Sequence, residues 1–87
     1  MKSLDNVLKE RQETHGNFEI GGKVYCNLLE QLTTNKALNA TQLYGITGIT
    51  LKLTRIAVGN ANEVDHWRDI AGYATLVANA MEKANGN

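Results

Sequence analysis

Two aspartates stand four residues apart in the last third of the chain, Asp65 and Asp69. On a helix this interval turns both carboxylates to one face, with Cβ atoms roughly 5–6 Å apart. Completed by waters and substrate phosphates, such a pair can hold Mg²⁺. Upstream, Lys52 and Arg55 are three apart, and their cationic heads suit contact with phosphate. The same four residues have an architectural reading. A carboxylate is favoured at a helix N-terminus, and a partly buried Arg55–Asp69 or Lys52–Asp69 pair can fix the register of two helices. His15 precedes Gly16, where it can face a ligand or set its charge against the negative end of a helix. His66 is of a residue type suited to acid–base work, with a solvated or capping role as the plain reading. Trp67 reads as core rather than as a stacking platform.

Other chemistries find no footing. The chain has no GxxxxGK[ST] loop, GxGxxG, HExxH or CxxC. Cys26 is the single cysteine, so no disulfide forms within the chain. One Cys and two His do not make an ordinary tetrahedral zinc site. No His neighbours Cys26 in sequence to activate it as a nucleophile.

The elements that position these residues are helices. Proline is absent, and Gly and Asn clusters punctuate the chain near 16–17, 21–22, 33–39, 59–62 and 85–87. The first predicted helix runs from Leu4 to about Thr14, capped by Ser3 and stopped at Gly16, with Arg11 on its apolar stripe beside Leu4, Val7 and Leu8. Arg11 on that stripe implies an acidic partner. The second spans about Gly22 to Leu32, leaving Phe18 and Ile20 in a preceding loop that covers one end of the core. The third runs from Asn39, with Gln42 completing a capping box, to Val58, roughly 28 Å of helix. Ile46, Ile49, Leu53 and Ile56 line one side of it, while Tyr44, Leu51 and Val58 lie roughly opposite. A helix apolar on two sides needs cover on both. Gly45 and Gly48 each cost about 1 kcal/mol against Ala in a helix interior, which implies close approach by another backbone. The fourth helix runs from an Asn62 cap to about Lys83, with Trp67, Ile70, Ala71, Ala74, Val77, Ala78 and Met81 forming a broad apolar arc.

Eighty-seven residues make one domain, residues 1–87, and a core of that size alone yields roughly 3–5 kcal/mol. With disulfides and zinc set aside, a partner subunit is the remaining support. The expected fold is all-α: a four-helix antiparallel arrangement with a long C-terminal helical hairpin, completed as a homodimer or higher homo-oligomer. Nine basic and nine acidic residues cancel, so nucleic acid is not an expected partner. No apolar run has the length of a membrane span, the start MKSLDNVLKERQE lacks a signal-peptide core, and a free cysteine suits the cytoplasm.

Three segments occur together: Glu10-Arg11…Thr14-His15-Gly16-Asn17-Phe18, Leu51-Lys52-Leu53-Thr54-Arg55-Ile56…Gly59-Asn60, and Asp65-His66-Trp67-Arg68-Asp69-Ile70-Ala71-Gly72-Tyr73-Ala74. Together they resemble a family of small uncharacterised proteins of phages and prophages. A more distant resemblance is to the MazG-like all-α nucleotide pyrophosphohydrolases, which oligomerise and hold Mg²⁺ with carboxylates from two helices. That likeness implies a metal role for Asp65 and Asp69. It departs at the third helix, which carries no Asp or Glu between Asn39 and Val58.

Two functions are therefore expected. The first is a small non-enzymatic phage accessory protein, a helical oligomer that acts on a host or phage protein in the host cytoplasm and requires no cofactor. The alternative is a Mg²⁺-dependent nucleoside triphosphate pyrophosphohydrolase-like enzyme, or a degenerate nucleotide-binding relative. In that case Asp65 and Asp69 hold metal, Lys52 and Arg55 meet phosphate, and His15 and His66 face the ligand.

Overall fold

The computed structural model describes residues 3–86; Met1, Lys2 and Asn87, which the sequence reading takes into the domain and its ends, lie outside the described residues. The chain forms four helices, α1 (Leu4–His15), α2 (Phe18–Leu32), α3 (Ala40–Val58) and α4 (Val64–Ala84), and no strand among the described residues. None of these helices is long and apolar enough to cross a membrane.

Local chemistry accounts for most boundaries. Ser3 accepts the Asn6 N–H at the start of α1, and Gly16 ends it with a φ of 89°. A ψ of 179° makes this an extended turn at positive φ rather than a left-handed helical one, and glycine tolerates it without a Cβ clash. Asn39 and Gln42 form the expected capping box on α3, each side chain serving the other's backbone N–H at 2.8 and 3.0 Å.

Two boundaries differ from the sequence reading. Asn17 caps α2 by accepting the Ile20 N–H at 3.1 Å, so the helix begins at Phe18 and carries Gly21 and Gly22 in its first turns. Phe18 and Ile20 are thus helical and largely exposed, and they cover no core. At the start of α4, Glu63 occupies the cap position without a side-chain bond, and Asn62 caps nothing. Its N–H goes instead to the Asn60 side chain at 3.0 Å, an Asx turn that competes with capping.

Helix α3 is the hub, packing against α4, α2 and α1. Along the α3–α4 contact, Gln42 meets Met81, Gly45 faces Val77, Gly48 faces Tyr73 and Lys52 meets Asp69. Positions therefore rise on one helix as they fall on the other. The close approach expected at the glycines is found, but it is by side chains and not by another backbone: a Cβ on Gly48 would stand 2.6 Å from the Tyr73 ring, and one on Gly45 would overlap the Val77 side chain. These two glycines let α4 lie close along α3.

The interior is thin. Among the described residues no hydrophobic side chain is fully buried; the buried side chains are Thr50, Thr54 and His66. Thr50 and Thr54 turn their hydroxyls back to the carbonyls of Ile46 and Thr50, at 2.6 and 2.8 Å, which satisfies them without a partner helix. Ile46, Ile49, Leu53 and Ile56 are half-buried, whereas Tyr44, on the other side of α3, is 78% exposed.

Candidate functional site

The ends of three helices meet at the Thr14 carbonyl. Because α1 stops at His15, this oxygen has no helical N–H to accept. It accepts the Asn60 N–H at 2.9 Å and lies 3.2 Å from Nε2 of His66. A carbonyl can only accept, so the proton sits on Nε2 of that imidazole. Gly59 makes the approach possible: a Cβ there would stand 2.5 Å from the same oxygen. His66 is consequently buried, at 3% exposure, contrary to the solvated or capping role read from sequence.

His15 lies beside this junction, its ring centroid 5.6 Å from that of His66 and tilted by 50°. Partial burial lowers the His15 pKa below its ordinary value, and the positive charges of Arg55, His66, Lys52 and Arg11 push the same way. The neighbourhood is therefore basic.

The acidic pair sits on the first turns of α4. Nζ of Lys52 is 2.9 Å from a carboxylate oxygen of Asp69; Lys52 is 13% exposed and Asp69 47%. That hydrogen bond is the main cause holding the Asp69 carboxyl below the usual range, outweighing the opposing effect of desolvation. Among the described residues no group of three His, Cys, Asp or Glu side chains gathers closely enough to hold a metal ion. The two basic residues also diverge. Lys52 turns to Asp69, whereas Arg55 lines a cavity of about 970 Å³ between α1, α2, α3 and Tyr73 of α4.

Sequence reasoning missed this cavity. Arg11, His15 and Arg55 line it together with Tyr25, Tyr44 and Tyr73. Arg11 is exposed there and has no carboxylate in ion-pair range among the described residues, so the acidic partner expected for it is not found. The signal was present in the spacing. Leu8, Arg11 and His15 share one face of α1, and Tyr44, Gly48, Leu51 and Arg55 share one face of α3.

Helix α4 carries a second surface. Its side toward α3 presents His66, Ile70, Tyr73 and Val77, all buried or half-buried. Next to it, Val64, Trp67, Ala71, Ala74, Ala78 and Met81 follow the alternating three-and-four spacing of a coiled-coil seam, and all six are exposed. Trp67 is not the core residue expected of it. It is 53% exposed, and its indole N–H donates to the Ala61 carbonyl at 2.8 Å, tying the α3–α4 turn while leaving much of the ring open.

No curated protein and no solved structure matches the chain. Residues 2–81 match the model of a family described as a domain of unknown function, so the chain belongs to the DUF6378 domain family.

Proposed function

We propose that this protein is a non-enzymatic accessory protein that works as a homo-oligomer, its role exerted through contact with another protein. The observation that carries the reading is the open apolar seam on α4, from Val64 to Met81. Surface scaling supports it. The chain exposes 6571 Å² at a mass of 9.5 kDa, about 1,500 Å² more than a compact monomer of that mass presents. A standard interface takes about 800 Å² from each partner, so a second copy on α4 accounts for much of the excess. The radius of gyration, 15.3 Å, likewise exceeds the roughly 12 Å of a compact domain this long. The resemblance to small phage and prophage proteins supports a phage-encoded origin, with a host or phage protein as the further partner and the host cytoplasm as the place of action.

The Lys52–Asp69 contact supports the non-enzymatic side of this reading, because it engages one of the two carboxylates that a Mg²⁺-dependent pyrophosphohydrolase-like activity would use. Sedimentation of the wild type against Ala74→Glu tests the proposal. The wild type is expected to sediment as an oligomer, and Ala74→Glu as a monomer of unchanged helicity. A wild type that stays monomeric at high concentration overturns it. Pyrophosphate release from a nucleoside triphosphate with Mg²⁺, abolished by Asp65→Asn, would establish the enzymatic alternative.

A further inference from the structure

We propose that the cavity between α1, α2 and α3 binds a small organic anion with a flat aromatic body. Arg11 and Arg55 hold its charge, and Tyr25, Tyr44 and Tyr73 hold its ring. The space is an open groove of about 970 Å³, with the 78%-exposed Tyr44 among its lining, and that volume lies at the upper end of the range for small-molecule sites. Two arginines line this space from different helices, and neither has a carboxylate of the described residues in ion-pair range. One carboxylate, that of Glu19, lines the cavity, so the site stays predominantly basic. Guanidinium groups present planar, divergent donors that match carboxylate or phosphate oxygens in pairs. The tyrosines supply apolar ring faces with polar tips, the usual means of gripping an aromatic ring while fixing its orientation. The His15 pKa is depressed chiefly by burial, and the charges of Arg55, His66, Lys52 and Arg11 push it further the same way, a positive excess that a bound anion would relieve.

The site goes beyond the oligomer reading and does not depend on it, because none of the six α4 seam residues lines the cavity. It is also separate from the acidic pair, since neither Asp65 nor Asp69 lines it.

Protein-observed NMR with three probes tests the assignment: phenyl phosphate, inorganic phosphate, and benzyl alcohol as the uncharged ring. Phenyl phosphate is expected to give saturable shifts at the His15 imidazole and the Tyr25 and Tyr73 rings. Inorganic phosphate should bind more weakly at the same place, and benzyl alcohol should give no saturable shift. Arg55→Gln is expected to weaken phenyl phosphate binding about tenfold or more, as loss of a charge-assisted bond does. Arg11→Gln alters an exposed side chain, leaves the fold intact and should weaken binding similarly, so it decides the matter if Arg55→Gln does not fold. Equal binding of benzyl alcohol, or full affinity in Arg11→Gln, overturns the proposal. So does failure of phenyl phosphate to give saturable shifts in the wild type.

Discussion

Nε2 of His66 lies 3.2 Å from the Thr14 carbonyl, across 52 residues of sequence, and the Asn60 N–H reaches the same oxygen at 2.9 Å. One acceptor at the end of α1 thereby receives donors from α4 and from the turn that follows α3. In a chain where no hydrophobic side chain of the described residues is fully buried, this polar junction ties the end of α1 to α4 and to the turn after α3, beside the direct packing of α1 on α3.

His66→Phe keeps a ring in the buried space and removes the donor. Thr14 retains its bond from Asn60, so the loss is that of one hydrogen bond, about 1 kcal/mol. For a domain of this size that is a Tm lowered by about 4–8 °C in thermal denaturation followed by circular dichroism. An unchanged Tm would show that the bond contributes nothing net.

Acidification should weaken the fold through His15. Its folded pKa is lowered, chiefly by burial and then by Arg55, His66, Lys52 and Arg11. Below the unfolded value of about 6.5, the unfolded chain therefore binds a proton that the folded chain resists. The associated stability is present above that value and is lost as pH falls from there through the folded pKa. Urea midpoints measured between neutral pH and pH about 5 should decline in the wild type and decline less in His15→Gln. Parallel slopes in the two proteins would remove His15 as the cause.

The sequence was most legible where a local rule acts alone. The Ser3 cap, the Asn39–Gln42 box and the close approach at Gly45 and Gly48 all follow from short-range sterics and hydrogen bonding. It was least legible where two local options compete. Asn60 forms an Asx turn with the Asn62 N–H, so Asn62 is not the α4 cap, and Asn17 starts α2 ahead of two glycines that normally disfavour a helix. Burial was misjudged for a different reason. Trp67 and His66 are adjacent, and a rotation of 100° decides which faces α3; the arc of alanines around Trp67 suggested the wrong one, because that arc is exposed. Of the candidate site, the spacing identified the charged residues but not their partners. Lys52 takes Asp69 while Arg55, three residues on, turns to the cavity.

The Lys52–Asp69 pair should behave asymmetrically. Lys52 is 13% exposed and Asp69 47%, so removing the carboxylate strands the more buried charge. Asp69→Asn is expected to lower Tm, and adding Lys52→Met to it should recover part of the loss by replacing the stranded ammonium with an apolar chain. Excess Mg²⁺ should leave the wild-type Tm unchanged, because Lys52 already engages Asp69. A clear Mg²⁺-dependent rise abolished by Asp69→Asn would point to a metal at the acidic pair instead.

The two alanine substitutions Gly48→Ala and Gly72→Ala should have opposite signs although both lie within helices. At Gly48 a Cβ would stand 2.6 Å from the Tyr73 ring, so α3 and α4 must separate or the ring must leave its position. Overpacking of this kind costs about 1–3 kcal/mol, more than the roughly 1 kcal/mol that alanine gains over glycine by helix propensity. At Gly72 nothing lies within 4 Å of the added methyl. There the propensity gain of about 0.5–1 kcal/mol stands uncancelled. Gly48→Ala should therefore melt below the wild type and Gly72→Ala above it, both compared at one protein concentration because subunit association also raises Tm. Stabilisation of both would mean that α4 does not lie against Gly48 in solution.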